Sequence, residues 1–268
     1  MTTTGTPVRW GDLAWPDFGP DGRVAPAAGH PVGLVPVGAT EQHGPHLPTS
    51  SDTLVAVAVC EGASALTGAP VLPPVAVGAS FGHGARLPGT LSLPPETLAD
   101  LLVHHADWAA RSGIRRLLFV NAHAGNRAAI AMAVDHLRWE RPDLRAGSFD
   151  WFEADDEVLA ELTADGSDIH ANRGETSVLL AVAPELVRLD RLADADDADR
   201  TGPLVFRYTA DVLSTNGVTG RPSQASAELG RRLLERSVRA LADLVERGRT
   251  EEPPLADQPP PFPTRTAP

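Results

Sequence analysis

Three short stretches of this chain crowd carboxylates and imidazoles together. Glu41, His43, His46 and Asp52 fall within a dozen positions; His123 lies between Asn121 and Asn126; Asp168, His170 and Glu175 form the third group. Two carboxylates and a His from one stretch, joined by a His and a Glu from distant ones, make an N/O donor set suited to Zn²⁺, Mn²⁺ or Fe²⁺. No thiolate competes, because the single cysteine, Cys60, sits in the apolar run from Leu54, where a buried structural thiol is expected. Two ions a few ångströms apart would need a bridging carboxylate, and together they activate water and polarise a carbonyl. Each residue also has a structural reading. Glu41 could close a turn, Asp52 could cap a helix starting at Thr53, His123 could be a core imidazole, and His46, beside Pro45, could pack behind the others. His104, His105 and His136 fall in helical stretches and are read as ordinary helix residues.

What must position these groups is an alternation of short apolar runs and longer amphipathic ones, the pattern of parallel βαβ units. Strands are predicted over Val32–Gly38, Val71–Val77, Arg115–Asn121 and Leu144–Trp151. Helices are predicted over Thr53–Leu66, Pro95–Ser112, Asn126–Glu140, Glu175–Ala183 and Ala225–Arg247. In an open parallel sheet ligands gather beyond the carboxyl ends of the strands. The first two clusters directly follow strands and the third enters a helix, and this joint placement raises the odds of chemistry over any residue taken singly. The loop from Gly78 to His83 also follows a strand, so Ser80 and His83 are candidate substrate contacts, with Asn121 at a strand end and Trp151 beside Phe152 as a pocket wall. Residues 1–30, rich in Gly and Pro, read as an extended segment packed onto the body. A tail over 251–268 with seven prolines reads as disordered, leaving one domain over 1–250. The acidic run from Asp194 to Asp199 reads as a solvated surface loop.

Composition removes several alternatives. Of 268 residues, 42% are apolar and 22% charged, which is a globular profile. All 23 basic residues are Arg, so Schiff-base lysine chemistry, the P-loop lysine and the kinase lysine are excluded. A net charge of −12 argues against a sequence-independent grip on nucleic acid. Neither a signal peptide nor an apolar run long enough to span a membrane is evident, and a cytoplasmic location is expected.

The order Thr40-Glu41-Gln-His43-Gly-Pro-His46-Leu-Pro, with Asp52 following, resembles the signature of the creatininase family of metal-dependent amidohydrolases. The Asn121-to-Asn126 segment, His170 with Glu175-Thr-Ser177, Pro88-to-Ser92 and Asn216-to-Gly220 match that family in the same order, over roughly residues 30–248. The resemblance implies a three-layer α/β/α sandwich with a mostly parallel central sheet. It also implies a homohexamer and hydrolysis of a C–N bond in a small cyclic or linear amide at two divalent ions. Carried across by position, Glu41, Asp52 and His123 would hold one ion. His43, Asp52 and a further carboxylate would hold the other, and His170 would be the general acid/base, titrating near the working pH.

Creatinine-hydrolysing members carry a Glu two residues after the His of the second segment, where this chain has Gly125. Creatinine is therefore not the expected substrate. Glu175 is the expected replacement ligand, and with His170 it makes up the expected catalytic pair. Ala122 and Ala124 replace the usual glycines, and Asn172-Arg-Gly174 replaces the commoner residues before the Glu. Gly125, the run Glu175-to-Leu180 and Gly78-Ala-Ser80 resemble a branch that trims a ribosomally made precursor peptide, the mycofactocin type, although Gly82-His83 stands where that branch has Glu-His. The leading expectation is thus hydrolysis of a small amide. A precursor peptidase is the alternative, and a family member repurposed for ligand binding or biosynthetic C–N bond chemistry is the third reading.

Overall fold

A computed structural model describes residues 5–26, 28–84 and 86–255. Five strands, β1 (Val8–Arg9), β2 (Val32–Val37), β3 (Pro70–Val71), β4 (Arg116–Asn121) and β5 (Arg145–Asp150), form one sheet in the order β1-β3-β2-β4-β5, parallel throughout. Every residue of β2 is buried, as expected of a central strand covered on both faces. Its side chains alternate between two cores. Val32 and Leu34 join one, and Val35 and Val37 the other.

The first core is closed by α1 (Ser51–Thr67), α5 (Arg173–Val182) and α8 (Ala227–Gly248) through residues such as Val55, Val59, Leu179, Leu233 and Leu241. The second is closed by α2 (Pro95–Arg111) and α3 (Arg127–Glu140). In α2 the proline start, followed by Leu98, Leu102, Ala106 and Ala109 on one buried stripe, accounts for the packing. The result is a three-layer α/β/α sandwich. Short helices α4 (Asp156–Leu162), α6 (Leu189–Leu192) and α7 (Ala210–Leu213) were not predicted. No helix among the described residues is long and apolar enough to cross a membrane.

Several expectations need correcting. The predicted strand over Val71–Val77 is cut to β3, because Pro73 and Pro74 have no N–H to give a ladder; beyond them only Val75 bridges to Val37. The first thirty residues do more than pack, since Val8–Arg9 is the edge strand beside β3. The acidic run is not simply solvated. Asp196, Asp197 and Asp199 accept hydrogen bonds from Ser223, from Ser214 and Thr215, and from Ser167 and Thr201, tying four loop segments together. Contacts from β4 reach the first residues of the expected tail. Arg116 donates to Glu251 O at 2.5 Å and pairs with Glu252 at 2.6 Å, and residues 256–268 of the expected tail lie outside the described residues. Cys60 is fully buried, as expected.

Candidate metal centre

Strand register sets the level of the site. Val37 pairs with Asn121 and Asn121 with Asp150, so the segments that follow β2, β4 and β5 leave the sheet side by side. Two asparagines then lash these segments together. Asn126 accepts from Ala79 N at 2.9 Å and donates to Gly38 O at 3.0 Å, while Asn121 donates to Asp150 at 2.7 Å and accepts from His123 N at 3.0 Å.

Asp52 does not cap α1. Ser50 holds the cap position, and Asp52 lies in the first turn with its side chain turned inward and buried. Its Oδ1 is 3.0 Å from His43 Nε2, and its Oδ2 is 3.5 Å from His123 Nδ1. Glu41 Oε2 is 3.3 Å from His123 Nε2. Glu175 Oε2 is 3.9 Å from His43 Nε2 and accepts from Ala171 N at 2.7 Å. Asn172 caps α5 with its side chain, accepting from Gly174 N and Glu175 N. The turn before it forces Ala171 to a φ of +52°, a left-handed conformation that non-glycine residues seldom hold away from functional sites.

Three groupings bring their donor atoms within 4.8 Å of one another: Glu41–Asp52–His123, His43–Asp52–Glu175 and Glu41–His43–His170. Asp52 belongs to the first two. Both oxygens of Glu41 and Oδ2 of Asp52 are buried without a hydrogen-bond partner, a costly arrangement unless something else satisfies them. Burial, with the Asp52 charge beside it, holds Glu41 well above the usual carboxylate range. Burial likewise lifts Glu175 to about 8 against the pull of His43. His43 rises to about 10, because Asp52, Glu175 and Glu41 together outweigh the downward effect of its own burial. The pocket is thus short of positive charge, and its donor set fits divalent cations.

His170 departs from expectation. Burial first, then the neighbouring His83, His43 and His123, push it well below its ordinary value rather than near neutrality. A cavity of about 210 Å³ opens over these groups. His83, His170, Glu41, Asp52, His123 and Glu175 line it, whereas three expected substrate contacts do not. Asn121 is fully buried and committed to the lashing described above. Trp151 is 1% exposed and belongs to the core, leaving Phe152 at the wall. Ser80 is buried, its hydroxyl 3.4 Å from His123 Nε2. Sequence reasoning missed Gln42, whose amide meets His170, and Asp168, Ile169, Tyr208, Ala210 and Leu213 as residues lining the cavity. Gln42 could have been noticed as the polar residue between two candidate ligands. The Tyr208 segment carries no periodic signal.

The family described as creatininase, creatinine amidohydrolase, matches residues 12–245. The chain is 38% identical over 225 residues to a mycofactocin precursor peptide peptidase of Mycolicibacterium smegmatis, covering 81% of this chain and 85% of that one. It is 34% identical over 259 residues to a creatinine amidohydrolase of Pseudomonas putida, covering 91% and 97%. A solved creatininase with Mn aligns at a TM-score of 0.76 and 31% identity, covering 91% of this chain and 100% of that one. Sequence match and shared fold extend together along nearly the whole chain, and the protein belongs to the creatininase family of hydrolases that act on carbon–nitrogen bonds.

Proposed function

We propose that the protein hydrolyses a peptide amide bond at a pair of divalent cations, zinc, manganese or iron. One observation carries the reading: Asp52 is common to two buried trios, and Glu175 completes the second where Gly125 offers no side chain. Glu41, Asp52 and His123 would hold one ion, and His43, Asp52 and Glu175 the other. Such ions supply polarisation of the scissile carbonyl and activation of water. His170, on the cavity wall and neutral, would take a proton from the attacking water and pass it to the leaving nitrogen. Phe152, Ile169, Tyr208 and Leu213 exclude water and seat the side chains that flank the scissile bond.

A peptide is favoured over the small amide that leads the expectations from sequence. The support is the 38% identity to a precursor peptide peptidase, against 34% to the creatinine amidohydrolase. The same reading takes residues 1–250 as one catalytic unit, working in the cytoplasm as a homo-oligomer, a hexamer by family resemblance.

The test is elemental analysis of wild type and Asp52→Ala, coupled to mass spectrometry of a synthetic precursor peptide incubated with each. About two ions per chain and peptide cleavage, both lost in the variant, are expected. No metal after reconstitution with Zn²⁺ or Mn²⁺ would overturn the mechanism. Cleavage of small amides without peptide cleavage would return the reading to an amidohydrolase of small substrates.

A further inference from the structure

Gln42 separates Glu41 from His43 and belongs to neither trio, yet it is buried and its amide is fully engaged. Its Oε1 accepts from Gly44 N at 3.1 Å, which fixes the two ends of the amide. Nε2 then faces His170 Nε2 at 2.9 Å and His83 Nδ1 at 3.4 Å. An amide nitrogen only donates, so both ring nitrogens it meets carry lone pairs. The protons of the two neutral rings sit on His170 Nδ1 and His83 Nε2. Those atoms lie 3.5 and 3.7 Å from the same oxygen, Glu41 Oε1.

The amide is also held from behind. Gly217 has a φ of +85°, and a Cβ there would stand 1.9 Å from Gln42 Oε1. The Gly217 and Val218 N–H groups donate to Ser214 Oγ, which donates to Asp197. Two residues on, Thr219 N and Thr219 Oγ1 each donate to His170 O at 3.0 Å. One loop, the Asn216-to-Gly220 motif, therefore supports Gln42 and His170 together.

We propose that Gln42 is a positioning residue that locks the tautomer of His170 and His83, with Gly217 as its backstop, so that His170 presents an N–H and not a lone pair toward Glu41. This removes the Glu41–His43–His170 grouping as a metal site, since neither nitrogen of that ring is free to ligate. Its catalytic consequence rests on the function proposed above: the amide fixes the orientation and the hydrogen-bonding polarity of the neutral ring that the attacking water and the leaving nitrogen would meet.

The experiment is ¹⁵N NMR of the ring nitrogens in histidine-labelled protein, with and without added zinc, His170 being assigned by its loss in His170→Asn. Wild type should show His170 protonated at Nδ1. Gln42→Glu keeps the shape but only accepts, and should move the proton to Nε2. In the same variant kcat should fall about 10–100-fold, the range for loss of a residue that orients a site group, with KM and metal content unchanged. Gly217→Ala should move both readouts the same way without touching either ring. A His170 protonated at Nε2 in wild type, or an unchanged tautomer in Gln42→Glu, overturns the proposal. Absence of any peptide turnover would sink the peptidase reading alone, because the tautomer is read without substrate.

Discussion

At Gly125 one absent atom decides what the loop after β4 can carry. A Cβ there would stand 2.5 Å from Ala79 O and 2.4 Å from His123 Nε2, and a backbone carbonyl does not yield as a flexible side chain does. Gly125→Glu, which restores the residue of creatinine-hydrolysing members, is therefore expected to displace His123 rather than supply a ligand. The substitution is expected to bring no creatinine turnover, and metal content should fall, together with the proposed peptide turnover, by about tenfold or more. Glu175→Gln should behave differently: elemental analysis should find about one ion per chain against the two proposed for wild type, because Glu41, Asp52 and His123 remain. Residue chemistry was legible in the sequence for these groups, since carboxylate and imidazole carry their donor atoms wherever they are placed. Asn121 and Trp151 lie buried away from the cavity for the complementary reason. Whether an amide lashes strands or meets substrate, and whether an indole faces core or cavity, is settled by neighbours far away in the chain.

Among the elements, the close approach of α5 and α8 depends on Gly230, where a Cβ would lie 1.8 Å from Ser177 O. Gly230→Ala should push the helices apart. Overpacking typically costs about 1–3 kcal/mol; the upper end is expected here, readable as a lower urea midpoint at unchanged m-value. The acidic run makes a second prediction. Burial would raise Asp199, yet hydrogen bonds from Thr201 and Ser167 outweigh it and hold the carboxyl at about 2; Asp197 is likewise held down by Arg200, Thr215 and Ser214. A depressed carboxylate stabilises the fold above its unfolded value of 3.8 and loses that contribution as pH falls through the folded value. The segments Asp199 ties, around Ser167 and Thr201, should thus open between about pH 4 and 2, and the 214–215 segment that Asp197 ties at still lower pH. Hydrogen exchange followed by mass spectrometry reads this directly, and Asp199→Asn should flatten the dependence. Strands β2 and β4 and helices α2, α3 and α8 were legible because burial writes a period into the sequence. Val8–Arg9 is too short to carry one, the double proline hides where β3 ends, and the Tyr208 segment packs through irregular backbone.

As a whole, the molecule gathers its candidate metal centre beyond the carboxyl ends of its strands and leaves Trp108 and Trp139 exposed, at 67% and 69%, on the α2–α3 layer. Sedimentation should give a mass several times the 28.2 kDa of one chain, six times by family resemblance; a monomer at all concentrations would remove the assembly proposal. The sharing of Asp52 between two trios has a thermodynamic consequence at this scale. In the proposed two-ion reading, an ion held by Glu41 and His123 would withdraw charge from the Asp52 carboxylate, and the neighbouring trio would feel it. Reciprocity then obliges the second ion to alter the affinity for the first by the same factor. Loading isotherms would accordingly belong to the pair, and a substitution confined to His123 should be read at the trio of Glu175 as a changed metal affinity, carried through Asp52.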